Sequence, residues 1–156
     1  MLTSLATNYN RRNKNVRLFE LGNVYIPKSL PLTELPEEKN TLTLAMYGDG
    51  DFFTMKGVVE EITEKLGFAK NVDYVPVSEY PFLHPGRQAN IQKGKLNVGY
   101  IGQLHPMAAM NYDMKGEVYV AVINMDVAAR LTKTDVKYTG IAKFPAVTRD
   151  ISMVVP

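Results

Sequence analysis

The segment QANIQKGKLNVGYI, residues 88–101, decides the fold class. Gln88–Gln92 and Leu96–Ile101 are both rich in residues that favour strands, and Lys93-Gly94-Lys95 lies between them. A glycine in so short a connection favours a tight turn, and strands joined by a tight turn are antiparallel. The segment therefore predicts a β-hairpin within an antiparallel sheet.

The surrounding segments extend this sheet. Val16–Ile26, Thr41–Tyr47, Val72–Val77 and Val118–Ile123 have strand composition, and the last is apolar throughout, as is typical of a central strand. Residues 27–40 contain three prolines and predict a surface loop. Since strands and helices do not alternate strictly, the predicted class is α+β, an antiparallel sheet flanked by helices.

The strongest helix signal follows the second strand. Asp49 or Asp51 can cap it, because a carboxylate accepts hydrogen bonds from free backbone N–H groups, and Gly67 can end it. One helical face is apolar: Met55, Val58, Val59, Ile62 and Leu66. A shorter helix is predicted at Val127–Leu131, with Asp126 as its cap.

Composition excludes several kinds of chemistry. The 156 residues carry a net charge of +2 and include no cysteine, which excludes disulfides, thiolate catalysis and cysteine-bound zinc. The absence of cysteine fits a cytoplasmic protein, and no apolar run approaches the roughly 18 residues of a membrane helix. We therefore expect no membrane contact.

The only two histidines both precede proline, in His84-Pro85 and His105-Pro106. Two Leu-His-Pro segments would suit either two ligands converging on a metal or two histidines at turns or strand ends with hydrogen-bonded rings. The second interpretation is favoured, because proline restricts the residue before it to extended backbone and no acid cluster completes a metal site. Lys143 and Arg149 belong to a modest basic patch, and the residues alone indicate no active site.

Five motifs, taken in order, resemble one family. They are residues 8–25, residues 51–57 (DFFTMKG), residues 83–89 (LHPGRQA), residues 99–106 (GYIGQLHP) and residues 144–151 (FPAVTRDI). Together they are similar to the beta chain of bacterial phenylalanyl-tRNA synthetase. The resemblance implies that residues 1–136 are its catalytic-like module with a truncated start. It also implies that residues 137–156 are a linker and the first strand of a ferredoxin-like anticodon-binding domain.

The resemblance further implies a degenerate class II aminoacyl-tRNA synthetase core. Active cores hold ATP with two arginines, whose guanidinium groups are fixed bidentate donors. The best register places Ile26 at the first arginine position and Val127 near the second. We therefore expect a non-catalytic structural module, with no cofactor in this chain and with ATP and magnesium used by the holoenzyme.

The family also implies partners and candidate residues. Two alpha chains and two beta chains would form the holoenzyme, which binds tRNA. The candidate structural or interface residues are those of the internal motifs: Asp51, Phe53, Lys56, His84, Pro85, Gly86, Arg87, Gly102, His105 and Pro106. Lys143 and Arg149 are candidates to face tRNA. Two alternatives are an active class II-type ligase or nucleotide-binding domain, and an independent RNA-binding domain.

Overall fold

A computed structural model describes residues 1–133 and 148–154. These residues form six strands and four helices. Their order is α1 (Leu2–Asn10), β1 (Val16–Ile26), β2 (Glu37–Tyr47), α2 (Phe52–Lys65), β3 (Val72–Pro76), β4 (Leu83–Lys93), β5 (Leu96–Leu104), α3 (Pro106–Met110), β6 (Val118–Asn124) and α4 (Met125–Leu131).

The strands form one sheet in the order β1-β2-β6-β5-β4-β3, and every neighbouring pair is antiparallel. The α+β prediction is confirmed, and β6 is central as its apolar composition indicated. The prediction of a loop over residues 27–40 was wrong at its end, because β2 begins at Glu37. Pairing with β1 continues to Ile26 opposite Glu37, and this long hairpin register outweighs the acidic composition of the segment.

Helices α2 and α4 cover one face of the sheet. Met55 and Val59 of α2 are buried there, whereas Val58, Ile62 and Leu66 are partly buried at the margin of the same core. The predicted apolar stripe is therefore correct. The cap of α4 is Asn124, whose side chain accepts from the N–H groups of Asp126 and Val127, so the prediction of Asp126 as the cap was wrong. The helix begins two residues earlier than predicted.

The opposite face of the sheet is covered at one end only. Helices α1 and α3 pack there over a second core, which includes Leu5, Ala45, Leu83, Ala109 and Val120. The sequence did not predict α3. The other end of this face lies open, and that opening matters for the site described below.

The C-terminal segment differs from its prediction. Residues 148–154 form no strand, and the apolar side chains of Ile151, Met153 and Val154 are exposed. Lys143 and the rest of the predicted tail strand lie outside the described residues.

A candidate interface groove built from two sequence motifs

The residues 51–57 and 83–89, which are far apart in sequence, meet in one groove of about 540 Å³. Five predicted residues line it: Asp51, Phe53, Lys56, Gly86 and Arg87. Six other residues complete the lining: Phe52, Tyr74, Pro76, Gln88, Ala89 and Tyr119. Four of these eleven residues are aromatic and three are charged, so the groove combines apolar surface with a few charged groups.

Asp51 is committed to the start of α2. Its Oδ1 accepts from the backbone N–H of Thr54 at 2.7 Å, and the Thr54 hydroxyl oxygen accepts from the Asp51 N–H at 3.3 Å. This reciprocal pair is a capping box, which satisfies N–H groups that the first helical turn leaves free. The hydrogen bonds from Thr54 hold the pKa of Asp51 below its ordinary value.

Arg87 belongs to a hydrogen-bonded network beside the groove. Its guanidinium donates to Gln103 and, at 2.9 Å, to Glu117, while the Tyr119 hydroxyl donates to Glu117 at 2.6 Å. The bonds from Tyr119 and Arg87 lower the pKa of Glu117. Burial, followed by the bond to Glu117, raises the pKa of Tyr119 to about 12. Glu117 therefore compensates the charge of Arg87.

Lys56 and Tyr74 form another wall of the groove. The Lys56 ammonium lies 4.9 Å from the centre of the Tyr74 ring and 3.1 Å from the Glu60 carboxylate. The Tyr74 hydroxyl is buried and has no hydrogen-bond partner within the described part of the chain. Desolvation raises the pKa of Tyr74 to about 12. Its phenol is therefore neutral near pH 7.

Of the two histidines, His84 lies in β4 and His105 directly follows β5. His84 to Arg87 form a bulge in β4 opposite Gln103, because the register jumps from Leu83–Leu104 to Gln88–Gly102. Pro85 is in this bulge. The Nδ1 atom of His84 accepts from the Gly86 N–H at 3.1 Å.

His105 follows β5 and caps α3, where its Nδ1 accepts from Met107, with Pro106 as the first helical residue. Gly102 faces the bulge closely, since a β-carbon there would meet the Arg87 carbonyl oxygen at 2.9 Å. Residues 1–133 and 148–154 contain no group of three or more potential metal ligands. Both histidines are thus engaged with backbone N–H groups.

Ile26 and Val127 do not meet in one site. Ile26 lines a groove of about 450 Å³ on the open face of the sheet, together with Val122 and Asn124 of β6. Val127 instead packs against the core on the opposite face. Ile26 therefore shares the open groove with Asn124, the α4 cap, which no motif singled out.

Several functional neighbours were missed by sequence reasoning. Four residues build the groove or its network although no motif singled them out: Tyr74, Gln103, Glu117 and Tyr119. Gln103 lies within a motif but carries no distinctive spacing, and the other three lie outside the motifs. Only the strand register brings them beside Arg87. A period-two alternation in β6 was the one available signal, since it places Tyr119 on the face that α2 covers.

Comparison with a solved structure supports the fold. The fold is similar to the crystal structure of pyrrolysyl-tRNA synthetase from Desulfitobacterium hafniense, with a TM-score of 0.65 over 81% of this chain and 45% of that chain. At 16% identity this likeness shows the fold alone. No helix among the described residues is long and apolar enough to cross a membrane.

Sequence comparison then defines the family. Residues 1–125 match the family model described as the phenylalanyl tRNA synthetase beta chain CLM domain. The chain is 41% identical to the phenylalanine–tRNA ligase beta subunit of Clostridium tetani and 43% identical to that of Clostridium acetobutylicum, over 99% of this chain and 19% of each relative. It is 38% identical to that of Streptococcus thermophilus, over 98% of this chain and 20% of the relative.

The chain therefore belongs to the phenylalanyl-tRNA synthetase beta chain family. It spans about a fifth of the length of these relatives. The family resemblance predicted from the five motifs is confirmed.

Proposed function

We propose that this chain is a non-catalytic structural module of a phenylalanine–tRNA ligase beta subunit. It supports pairing with the alpha chain and placement of tRNA, while the holoenzyme of two alpha and two beta chains attaches phenylalanine to tRNA in the cytoplasm. ATP and magnesium act at the alpha chain. Residues 1–136 form the module, and residues 137–156 lead into an anticodon-binding domain.

The composition of the open-face groove supports the absence of catalysis. A nucleotide triphosphate requires fixed cations, for which guanidinium groups are best suited. Among the described residues that line this groove, the one basic side chain is Lys39, and its Nζ lies 3.6 Å from the Glu37 carboxylate. Ile26 stands where the family register expects an arginine. The groove thus lacks the charge that phosphate binding needs.

Pairing with the alpha chain is supported most directly by the exposed apolar residues of the edge strand β1. Among the described strands it pairs only with β2, and it exposes Phe19, Leu21 and Tyr25 to 75%, 59% and 58%. Contact between β2 and β6 ends at Thr41 opposite Asn124, so among the described residues no third strand lies beside residues 37–40 of β2. Long apolar edges invite pairing with another chain, and proteins normally cover them. In this proposal the alpha chain supplies that cover.

Assembly of the holoenzyme tests this proposal. The full-length beta chain carrying F19K and L21K would be produced together with the alpha chain, with M110K as the control. Met110 is also an exposed apolar residue but lies in α3. We expect the β1 variant to reduce recovery of the alpha–beta complex about tenfold, because the interface would bury two lysine charges without anionic partners. Equal recovery of both variants, measured by sedimentation, would exclude β1 as the pairing surface.

A second reading of the same experiment is informative. If the β1 variant makes the full-length beta chain itself unfold or aggregate, another part of the beta chain covers this edge. That outcome would also contradict pairing through β1. Circular dichroism of the isolated beta chain separates it from a loss of alpha-chain binding.

A further inference from the structure

A third groove, which we call the lysine groove, lies where α2 and α4 end. It has a volume of about 600 Å³ and is lined by four lysines, Lys65, Lys70, Lys93 and Lys133, and by one acid, Glu64. None of the five motifs places these residues together. The lysine groove is therefore separate from both grooves described above.

Four different parts of the chain build the lysine groove. Lys65 ends α2, Lys70 lies in the loop before β3, Lys93 ends β4, and Lys133 follows α4. The Lys133 N–H donates to the Leu66 carbonyl oxygen at 3.2 Å, which ties the end of α4 to the end of α2. The concave shape thus results from tertiary structure rather than from one charged run of sequence.

The charge of the lysine groove is unusual for this chain. Four lysines against one glutamate give its lining a net charge of +3, whereas the whole chain carries +2. Lys65 pairs with Glu61 at 3.4 Å, and counting that acid still leaves +2. Lys70, Lys93 and Lys133 form no ion pair with any carboxylate in residues 1–133 or 148–154.

Helix dipoles do not account for this concentration of charge. Cations are favoured near a helix C-terminus, and this explains Lys65 in the last turn of α2. Lys70 and Lys93 lie outside helices, so the dipole gives no reason for them to be there. Lysines that line one groove repel one another, and a polyanion in the groove would relieve that repulsion.

We propose that the lysine groove binds the phosphodiester backbone of RNA. This inference rests on the proposed function, in which tRNA is the RNA that the holoenzyme binds. Lysines act as point charges toward phosphate and read no base edges, so the groove would position the RNA without selecting its sequence. Its contribution would fall with salt, because each neutralised phosphate releases counterions.

The test uses the holoenzyme with a full-length beta chain carrying K70Q, K93Q and K133Q. The matched control carries K14Q, K28Q and K115Q, three exposed lysines outside the groove, and therefore has the same change in net charge. Binding of tRNA is measured over a series of salt concentrations. Loss of three phosphate contacts makes the negative slope of log K against log salt shallower by about 2. It also weakens binding about tenfold at low salt.

We expect that loss in the groove variant and little change in the control, with both variants assembled and equally resistant to heat. Equal effects in the two variants, or an unchanged slope, would overturn the proposal. If the groove variant joins the alpha chain poorly while the fraction that does assemble binds tRNA normally, the groove serves an acidic protein segment and the RNA proposal is wrong. Failure of the proposed function would be recognised separately, because the β1 variant would then assemble with the alpha chain as well as its control does.

Discussion

Arg87 and Glu117 lie 2.9 Å apart and join the bulge of β4 to the residue before β6. This ion pair links two strands that are not neighbours in the sheet, since β5 lies between them. Tyr119 donates to the same carboxylate. A network that spans three strands thus holds one wall of the groove that residues 51–57 and 83–89 line together.

The pKa of Glu117 tests this network. We expect Y119F to raise the pKa of Glu117 most, because the Tyr119 hydrogen bond is the main cause of its low value, and R87A to raise it less. A carboxylate with a lowered folded pKa contributes stability above its unfolded pKa, and this is lost as pH falls through the folded pKa. Both variants should therefore lose stability at pH 7 and approach the parent in acid.

Carboxyl titration by NMR measures the pKa, and urea unfolding at neutral and acid pH measures the stability. Since both side chains of the ion pair are about half exposed, R87A should cost at most about 1 kcal/mol. An unchanged Glu117 pKa in Y119F would contradict the network.

The packing of α2 gives a graded prediction. Met55 is 2% exposed and lies in the main core, so M55A should reduce the free energy of unfolding by about 2–5 kcal/mol. Ile62 is only partly buried, and I62A should cost less, about 1–2 kcal/mol. Denaturant unfolding compares the two. An equal or larger loss for I62A would show that the helix packs through a different face.

Gly99 permits β5 and β6 to approach closely. A β-carbon at this position would overlap the carbonyl oxygen of Val122, so G99A must push the two strands apart and should strongly lower the melting temperature. Gly57 in α2 is the control, because a β-carbon there meets nothing within 4 Å. G57A should raise stability by about 0.5–1 kcal/mol. A melting temperature of G99A equal to that of the parent would contradict the close approach.

Local patterns were sufficient for most elements of the fold. The bounds of β1 were predicted to the residue, and the cap and apolar stripe of α2 were found because capping and helical periodicity are local properties. The start of β2 and the bulge at His84 were not predicted, because both depend on strand register. Glu37 is in a strand only because it faces Ile26, and His84 lies in a bulge only because β5 continues past it.

The candidate site shows the same division. The motifs supplied Asp51, Phe53, Lys56, Gly86 and Arg87, which the fold brings into one groove. Periodicity along single segments cannot bring Glu117 to Arg87 or place Lys133 in the same groove as Lys93, because both arrangements arise from tertiary structure. Ile26 lies in the open groove and Val127 packs against the core on the other face, and no motif indicated this separation.

Phenylalanine-dependent exchange of pyrophosphate into ATP tests the central claim, that this module does not form an aminoacyl-adenylate. The chain alone would be measured beside the complete holoenzyme, with N124A as a variant of the open-face groove. We predict no exchange by the chain above the background without phenylalanine. Exchange by the chain that requires phenylalanine and is lost in N124A would contradict the account, because it would show a working active site in that groove.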